Sequence, residues 1–381
     1  MTSSFSNADK VYLVLRQVCL VLWLIPLALL HSAFVAWTRG LPLRLYLICA
    51  VLNLVLGRLR PHEIQYLCDT TQETYRSWMQ VKTSDANTSH TSAGRLGLDI
   101  EPVGKNNCSL LWVGNRRTAK KVVLFFHGGG FITPLLPGHL EICSRVCVDA
   151  GVEMGTEVAV AVLEYTLYPA ARHPVRLCQA ASALSHLLSS GFLPQDIIIG
   201  GDSAGGCLAA QLLCHLVRPH PEAEHIQLSQ PLAAVFLISP WLTRHTNDRS
   251  FTENNSIDMI SATSINNTIM ELVGPADIMV EKSELASRAF PLDKDVPCFE
   301  GLGPVVKQMY VAAGQNEVFR DQISFYVRQV QRCNPGIKMR FDLQPKLAHD
   351  FILLEGLEGR TGECMEAMKE WMKGLLAEEL Y

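Results

Sequence analysis

Residues 197–216, IIIGGDSAGGCLAAQLLCHL, pass from a buried strand pattern through Gly-x-Ser-x-Gly straight into a helix pattern. A turn this abrupt constrains the fold more than any other stretch, because the strand must lie inside a sheet and the helix must run back along it. Small residues at Gly201 and Gly205 let the backbone bend sharply, which lifts the Ser203 hydroxyl above the strand ends. Ser203 is the candidate nucleophile.

The body repeats this alternation. Short apolar, β-branched runs at Val122–Phe126, Val158–Tyr165, Ile197–Gly200, Ala233–Ser239, Gln308–Ala313 and Met339–Leu343 are separated by helical stretches. Runs of this kind suit strands buried on both faces, so a mostly parallel central sheet flanked by helices is expected. Residues 241–304 interrupt the pattern with helical stretches. Such an insertion lies above the carboxyl ends of the strands, where ligands bind. Upstream, Pro61, Ile64, Leu67, Thr71, Tyr75, Trp78 and Met79 make one helical stripe, and the polar stretch 82–94 reads as a loop.

The strand Val122–Phe126 ends in His127-Gly128-Gly129-Gly130. Acyl transfer builds negative charge on a carbonyl oxygen, and consecutive glycines let backbone N–H groups approach that oxygen with no Cβ in the way. The expected donors are the amides of Gly128, Gly129 and Ala204. No Gly-Lys-Ser/Thr follows, which argues against a phosphate loop. A serine hydroxyl also needs a base, and the base needs an orienting carboxylate later in the chain than the serine but before the histidine. Glu317 and Asp321 follow one strand run and His349 follows the next, so His349 is the expected base and both carboxylates are candidates for the acid.

Taken in order, these motifs resemble the hormone-sensitive lipase family of α/β-hydrolases. The resemblance rests on HGGGF at 127–131, Tyr165-Thr-Leu-Tyr-Pro169 with Pro174 behind it, GDSAGG at 201–206, Ser239-Pro-Trp241 and HDF at 349–351, and it covers roughly residues 115–375. It implies an α/β-hydrolase fold with a helical cap from 61–97 and about 241–304, and carboxylester hydrolysis with neither metal nor organic cofactor. Aligning the family's Asp-x-Leu-x-Asp segment on Glu317-Val-Phe-Arg-Asp321 puts Glu317 where the catalytic acid belongs and leaves Asp321 as its competitor. Within the family, the membrane anchor looks like arylacetamide deacetylase-type esterases and, more closely, fungal steryl acetyl hydrolases.

That anchor is read from the N-terminus. Hydrophobic residues make up 48% of the chain and are concentrated there. Residues 17–37, QVCLVLWLIPLALLHSAFVAW, carry no formal charge and are long enough as a helix to cross a hydrocarbon core of about 30 Å. The stretch exceeds the apolar region of a signal peptide and lacks a good Ala-x-Ala site, so residues 1–60 are expected to be an uncleaved, single-pass membrane anchor and 61–381 the hydrolase domain. A second run, Leu45–Leu56, is too short for another span and suits an interfacial helix or a substrate-access surface.

Asn-x-Ser/Thr sequons at Asn87, Asn107, Asn254 and Asn266 permit a glycosylated, lumenal body, and the expected membrane is that of the endoplasmic reticulum, with the lumenal or cytosolic side left open by the charges flanking the apolar stretch. The 12 cysteines show no metal-ligand spacing and are expected in the core, with a disulfide or two if the body is lumenal. A net charge of −4 without a basic field argues against a nucleic-acid partner. The expected function is removal of a short acyl group, acetyl above all, from a lipophilic alcohol such as a sterol, terpenoid or other natural product through an acyl-enzyme. The alternatives are a lipase or amidase using the same residues on other acyl substrates, and a non-catalytic ligand-binding member of the fold, against which the presence of His349 argues.

Overall fold

The computed structural model describes Val11 and residues 20–84, 95–104, 106–273, 289–293 and 299–378. Eight strands, β1 (Ile100–Val103), β2 (Cys108–Val113), β3 (Lys121–Phe126), β4 (Val158–Glu164), β5 (Ile197–Asp202), β6 (Leu232–Ile238), β7 (Val306–Gly314) and β8 (Lys338–Gln344), form one sheet in the order β1-β2-β4-β3-β5-β6-β7-β8. The pairings from β4 through β8 are parallel; β1–β2 and β2–β4 are antiparallel. Strands β3, β5 and β6 are buried at every position, which is why their sequences show no polar alternation. Helices Val175–Ser189 and Ser203–Val217 pack on one face of the sheet, and Pro137–Ile142 and Glu363–Ala377 on the other.

All six expected strands are present; β1 and β2 were not expected. β1 is only four residues long and contains Pro102, which removes a ladder donor and is tolerated at a sheet edge. The single stripe expected from Pro61 to Met79 is two helices, Pro61–Leu67 and Thr71–Ser84. Thr70 causes the break: its amide and hydroxyl donate to Glu73 Oε2 at 2.9 and 2.7 Å, while the Glu73 amide returns a bond to Thr70 Oγ1, so a new helix is capped there.

Helix Ile25–Arg39 ends at Gly40 in the left-handed conformation, and helix Leu43–Leu56 turns back to pack against it, with Ser32 Oγ donating to the Tyr46 carbonyl at 2.7 Å. Residues Leu22–Arg39 are long and apolar enough to cross a membrane, and Leu22, Trp23, Leu30, Phe34 and Trp37 are exposed. Helix Leu43–Leu56 instead buries Tyr46, Cys49 and Ala50 on the body.

Among the sequons, Asn107 and Asn266 are exposed, and Asn87 lies outside the described residues. Asn254 is buried and its side-chain amide donates to the Glu317 carbonyl at 3.0 Å, so this position serves the fold and not a glycan. Cys214 is disulfide-bonded, while nine other described cysteines are free and mostly buried.

Candidate active site

Strand β5 delivers Ser203 to the carboxyl edge of the sheet, and the helix Ser203–Val217 leaves from it at once. The serine sits at φ +48°, a left-handed conformation that a non-glycine residue holds only where its surroundings enforce it. Close packing is the enforcing element: a Cβ on Gly205 would lie 1.9 Å from the Phe126 carbonyl oxygen, and one on Gly201 2.5 Å from the Gly205 backbone. The Trp241 amide donates to the Ser203 carbonyl at 3.0 Å and fixes the turn from the side of β6.

His349 follows β8, with its Nε2 3.0 Å from Ser203 Oγ. Burial pushes its imidazole down to about 3, with the Asp202 carboxylate pulling the other way. A base must be neutral to accept a proton, and a lowered pKa keeps the ring neutral into more acid solution than a free imidazole near 6.5. The acid limb of a kcat/KM profile is therefore expected below pH 6.5, with activity at pH 5.5 within about twofold of that at pH 7.5. A limb at or above 6.5 in a constant-ionic-strength titration counts against this.

Glu317 lies just after β7 and is fully buried. Ser239 Oγ donates to Oε2 at 2.6 Å and the Gly314 amide donates to the same oxygen at 3.0 Å; burial raises the carboxyl well above its ordinary value while these donors pull it down. The same Oε2 is 4.0 Å from His349 Nδ1, longer than a hydrogen bond, and both His349 Nδ1 and Glu317 Oε1 lack a hydrogen-bond partner. Asp321 is differently employed. It begins the helix Arg320–Cys333, is about one-third exposed, and accepts from the Ser250 amide and Arg320 Nε, both at 2.8 Å.

The glycine loop after β3 is pinned from below. Tyr165 Oη donates to the His127 carbonyl at 2.7 Å, and His127 Nδ1 lies 2.8 Å from the Gly128 carbonyl. In a trans peptide the N–H points opposite the carbonyl, so the Gly128 and Gly129 N–H groups are directed away from these buried partners. Gly129 has φ +100° and, with Gly130, lines the same cavity as Ser203. Ala204 lies in the first turn of its helix, where an amide has no intrahelical acceptor.

That cavity measures about 640 Å³. Ser203 and His349 line it together with Leu52, Leu56 and Leu67 from the N-terminal helices and Ile260 and Ile265 from the insertion. Sequence reasoning missed Asp258, a buried residue of the insertion whose carboxylate accepts from the Val318 amide beside Glu317 and from the His349 amide. Nothing in its local pattern marks it, because its partners are main-chain amides. Among the described residues no group of three His, Cys, Asp or Glu side chains is placed to hold a metal.

A serine on a strand-to-helix elbow, within hydrogen-bond reach of a histidine after the last strand of this sheet, fits an α/β-hydrolase architecture. The profile of the family described as alpha/beta hydrolase fold matches residues 123–353, more than half of the chain, and the chain belongs to that family. It is 38% identical over 108 residues to Lipase 2 of Moraxella sp. (strain TA144), which covers 27% of this chain and 24% of that protein. It is 31% identical over 152 residues to an acetyl-hydrolase of Streptomyces hygroscopicus, covering 39% of this chain and 45% of the relative. The chain thus spans less than half the length of these two relatives. The solved structure of an esterase from the bacterial hormone-sensitive lipase family superposes with a TM-score of 0.56 at 21% identity, covering 81% of this chain and 93% of that one.

Proposed function

We propose that the chain is a serine carboxylester hydrolase of the hormone-sensitive lipase type. Ser203 is the nucleophile, His349 the base, Glu317 the acid, and the amides of Gly128, Gly129 and Ala204 the oxyanion donors. The observation that carries this reading is the 3.0 Å approach of His349 Nε2 to Ser203 Oγ at a strained elbow facing an apolar cavity.

His349 takes the hydroxyl proton as Oγ attacks the ester carbonyl, and the amides hold the resulting oxyanion. The imidazolium then protonates the departing alcohol, and water deprotonated by His349 releases the acid from Ser203. Glu317 orients the ring and offsets its transient positive charge.

The apolar lining supports a lipophilic alcohol carrying a short acyl group, and an acetyl-hydrolase among the relatives supports acetyl. The apolar helix at 22–39 supports a single-pass anchor; the disulfide at Cys214 and the exposed sequons support a lumenal body in the endoplasmic reticulum, with residues 61–97 and about 241–304 acting as a cap.

The test is hydrolysis of acetyl to palmitoyl esters of small and sterol-sized alcohols by membranes containing the full chain, with fluorophosphonate-blocked membranes as the blank. The expected result is a kcat/KM at least about tenfold higher for acetyl and butyryl than for palmitoyl esters. Hydrolysis confined to long-chain acylglycerols moves the reading to a lipase, and hydrolysis of none overturns it.

A further inference from the structure

One helix near the proposed anchor touches both loops that carry the acid and the base. Tyr46, on the helix Leu43–Leu56, accepts from Asn316 Nδ2 at 2.8 Å and donates to the Lys346 carbonyl at 3.1 Å. Asn316 immediately precedes Glu317, and Lys346 lies three residues before His349.

Asn53 stands two helical turns further along the same face. Its Nδ2 donates to the Asp258 carbonyl at 2.8 Å and to the Asn255 carbonyl at 3.3 Å. The Asp258 carboxylate, 1% exposed, then accepts from three amides: Val318 at 2.7 Å on Oδ2, and Met259 at 2.7 Å and His349 at 2.9 Å on Oδ1. Val318 follows Glu317 directly. The acid and base loops are therefore held at two heights, at Asn316 and Lys346 through Tyr46, and at Val318 and His349 through Asn53 and Asp258. About 300 residues separate Tyr46 from the loop it holds at Lys346.

We propose that the helix Leu43–Leu56 is a positioning element for the acid and base, acting through Tyr46, Asn53 and Asp258 on the main chain of both loops; this rests on the hydrolase reading given above. These are positioning residues, since none reaches the reacting atoms. A displacement of about 1 Å at a catalytic group costs up to about 10²-fold in rate, so a helix that fixes both loops sets turnover as well as cavity shape.

The test uses the full-length chain in membranes with Tyr46→Phe, which removes only the hydroxyl, Asn53→Ala, Asp258→Asn and Asp258→Ala, and Leu52→Ala as a cavity-wall control. For Tyr46→Phe and Asn53→Ala, kcat on a short ester is expected to fall roughly 10- to 100-fold with KM within about threefold. Asp258→Ala is expected to lose more, and Asp258→Asn, which keeps one acceptor oxygen, to recover part of that loss. Amide hydrogen exchange should quicken in peptides covering 314–320 and 344–350, whereas Leu52→Ala is expected to change KM and leave exchange as it was. Unchanged exchange in both loops, or a rise in KM with kcat intact, overturns the proposal. Faster exchange in the variants of a chain whose wild type hydrolyses nothing removes the hydrolase reading and leaves the helix as the element that holds these loops.

Discussion

Replacing Ser203 with alanine is expected to lower the hydrolysis of a short acyl ester by roughly 10⁶-fold and to abolish labelling by a fluorophosphonate probe. The size follows from the division of labour at the site. Without Oγ no acyl-enzyme forms, His349 has no proton to accept, and only the oxyanion amides and the apolar cavity still act on the ester, which leaves about 10³- to 10⁴-fold over water. The variant is expected to fold. Alanine occupies the same φ as serine, the Gly201 and Gly205 contacts that shape the elbow are untouched, and one hydrogen bond to His349 Nε2, about 1 kcal/mol net, is lost. Turnover is read on purified membranes beside a thermal-unfolding scan. A Ser203→Ala protein that keeps a few per cent of wild-type turnover, or that still takes up the probe, places the nucleophile elsewhere.

How far such a site is legible beforehand depends on the range over which its geometry is set. The elbow is local: the strand, the small residues around Ser203 and the helix lie within 20 consecutive residues, so its shape could be read directly from the sequence. Five of the six expected strands were equally legible, because burial leaves continuous apolar runs; β8 is an edge strand with no fully buried position, and it alternates Lys338, Arg340 and Asp342 with Met339, Phe341 and Leu343. β1 was not, since an edge strand with Glu101 and Pro102 looks like a loop. The helix break at Thr70 had a signal in Thr-x-x-Glu, masked by an apolar stripe that continues across it. Asn254 shows the opposite failure, a sequon whose side chain is spent on the Glu317 carbonyl. The run at residues 45–56 is apolar for a reason composition could not separate from membrane contact: Tyr46, Cys49 and Ala50 pack on the body, while Leu52, Val55 and Leu56 line the cavity. Asp258 left no trace because a carboxylate that serves main-chain amides imposes no pattern on its partners.

The choice between Glu317 and Asp321 turns on the same distinction, and it yields the second large expected effect. Four residues apart around the start of a helix, both side chains are within sequence range of the role; their environments separate them. Asp321 is about one-third exposed and its two oxygens serve Ser250 N and Arg320 Nε, so an alanine there removes a surface ion pair and a helix-start carboxylate, together about 1 kcal/mol of stability, and is expected to change kcat by no more than about threefold. Glu317 is fully buried, its Oε2 is held by Ser239 Oγ and the Gly314 amide and lies 4.0 Å from His349 Nδ1, and its Oε1 and His349 Nδ1 are both buried without a hydrogen-bond partner. Glu317→Gln keeps the shape and removes the charge that orients and stabilises the imidazolium; kcat is expected to fall about 10⁴-fold with KM little changed. Glu317→Ala is expected to lose at least as much and to unfold at lower temperature, because Ser239 Oγ and the Gly314 amide are left buried without their acceptor. Measured side by side on one short ester, near-normal turnover for Glu317→Ala together with abolition by Asp321→Ala would reverse the assignment, and equal losses for both would mean that the integrity of the loop, rather than either carboxylate, sets the rate.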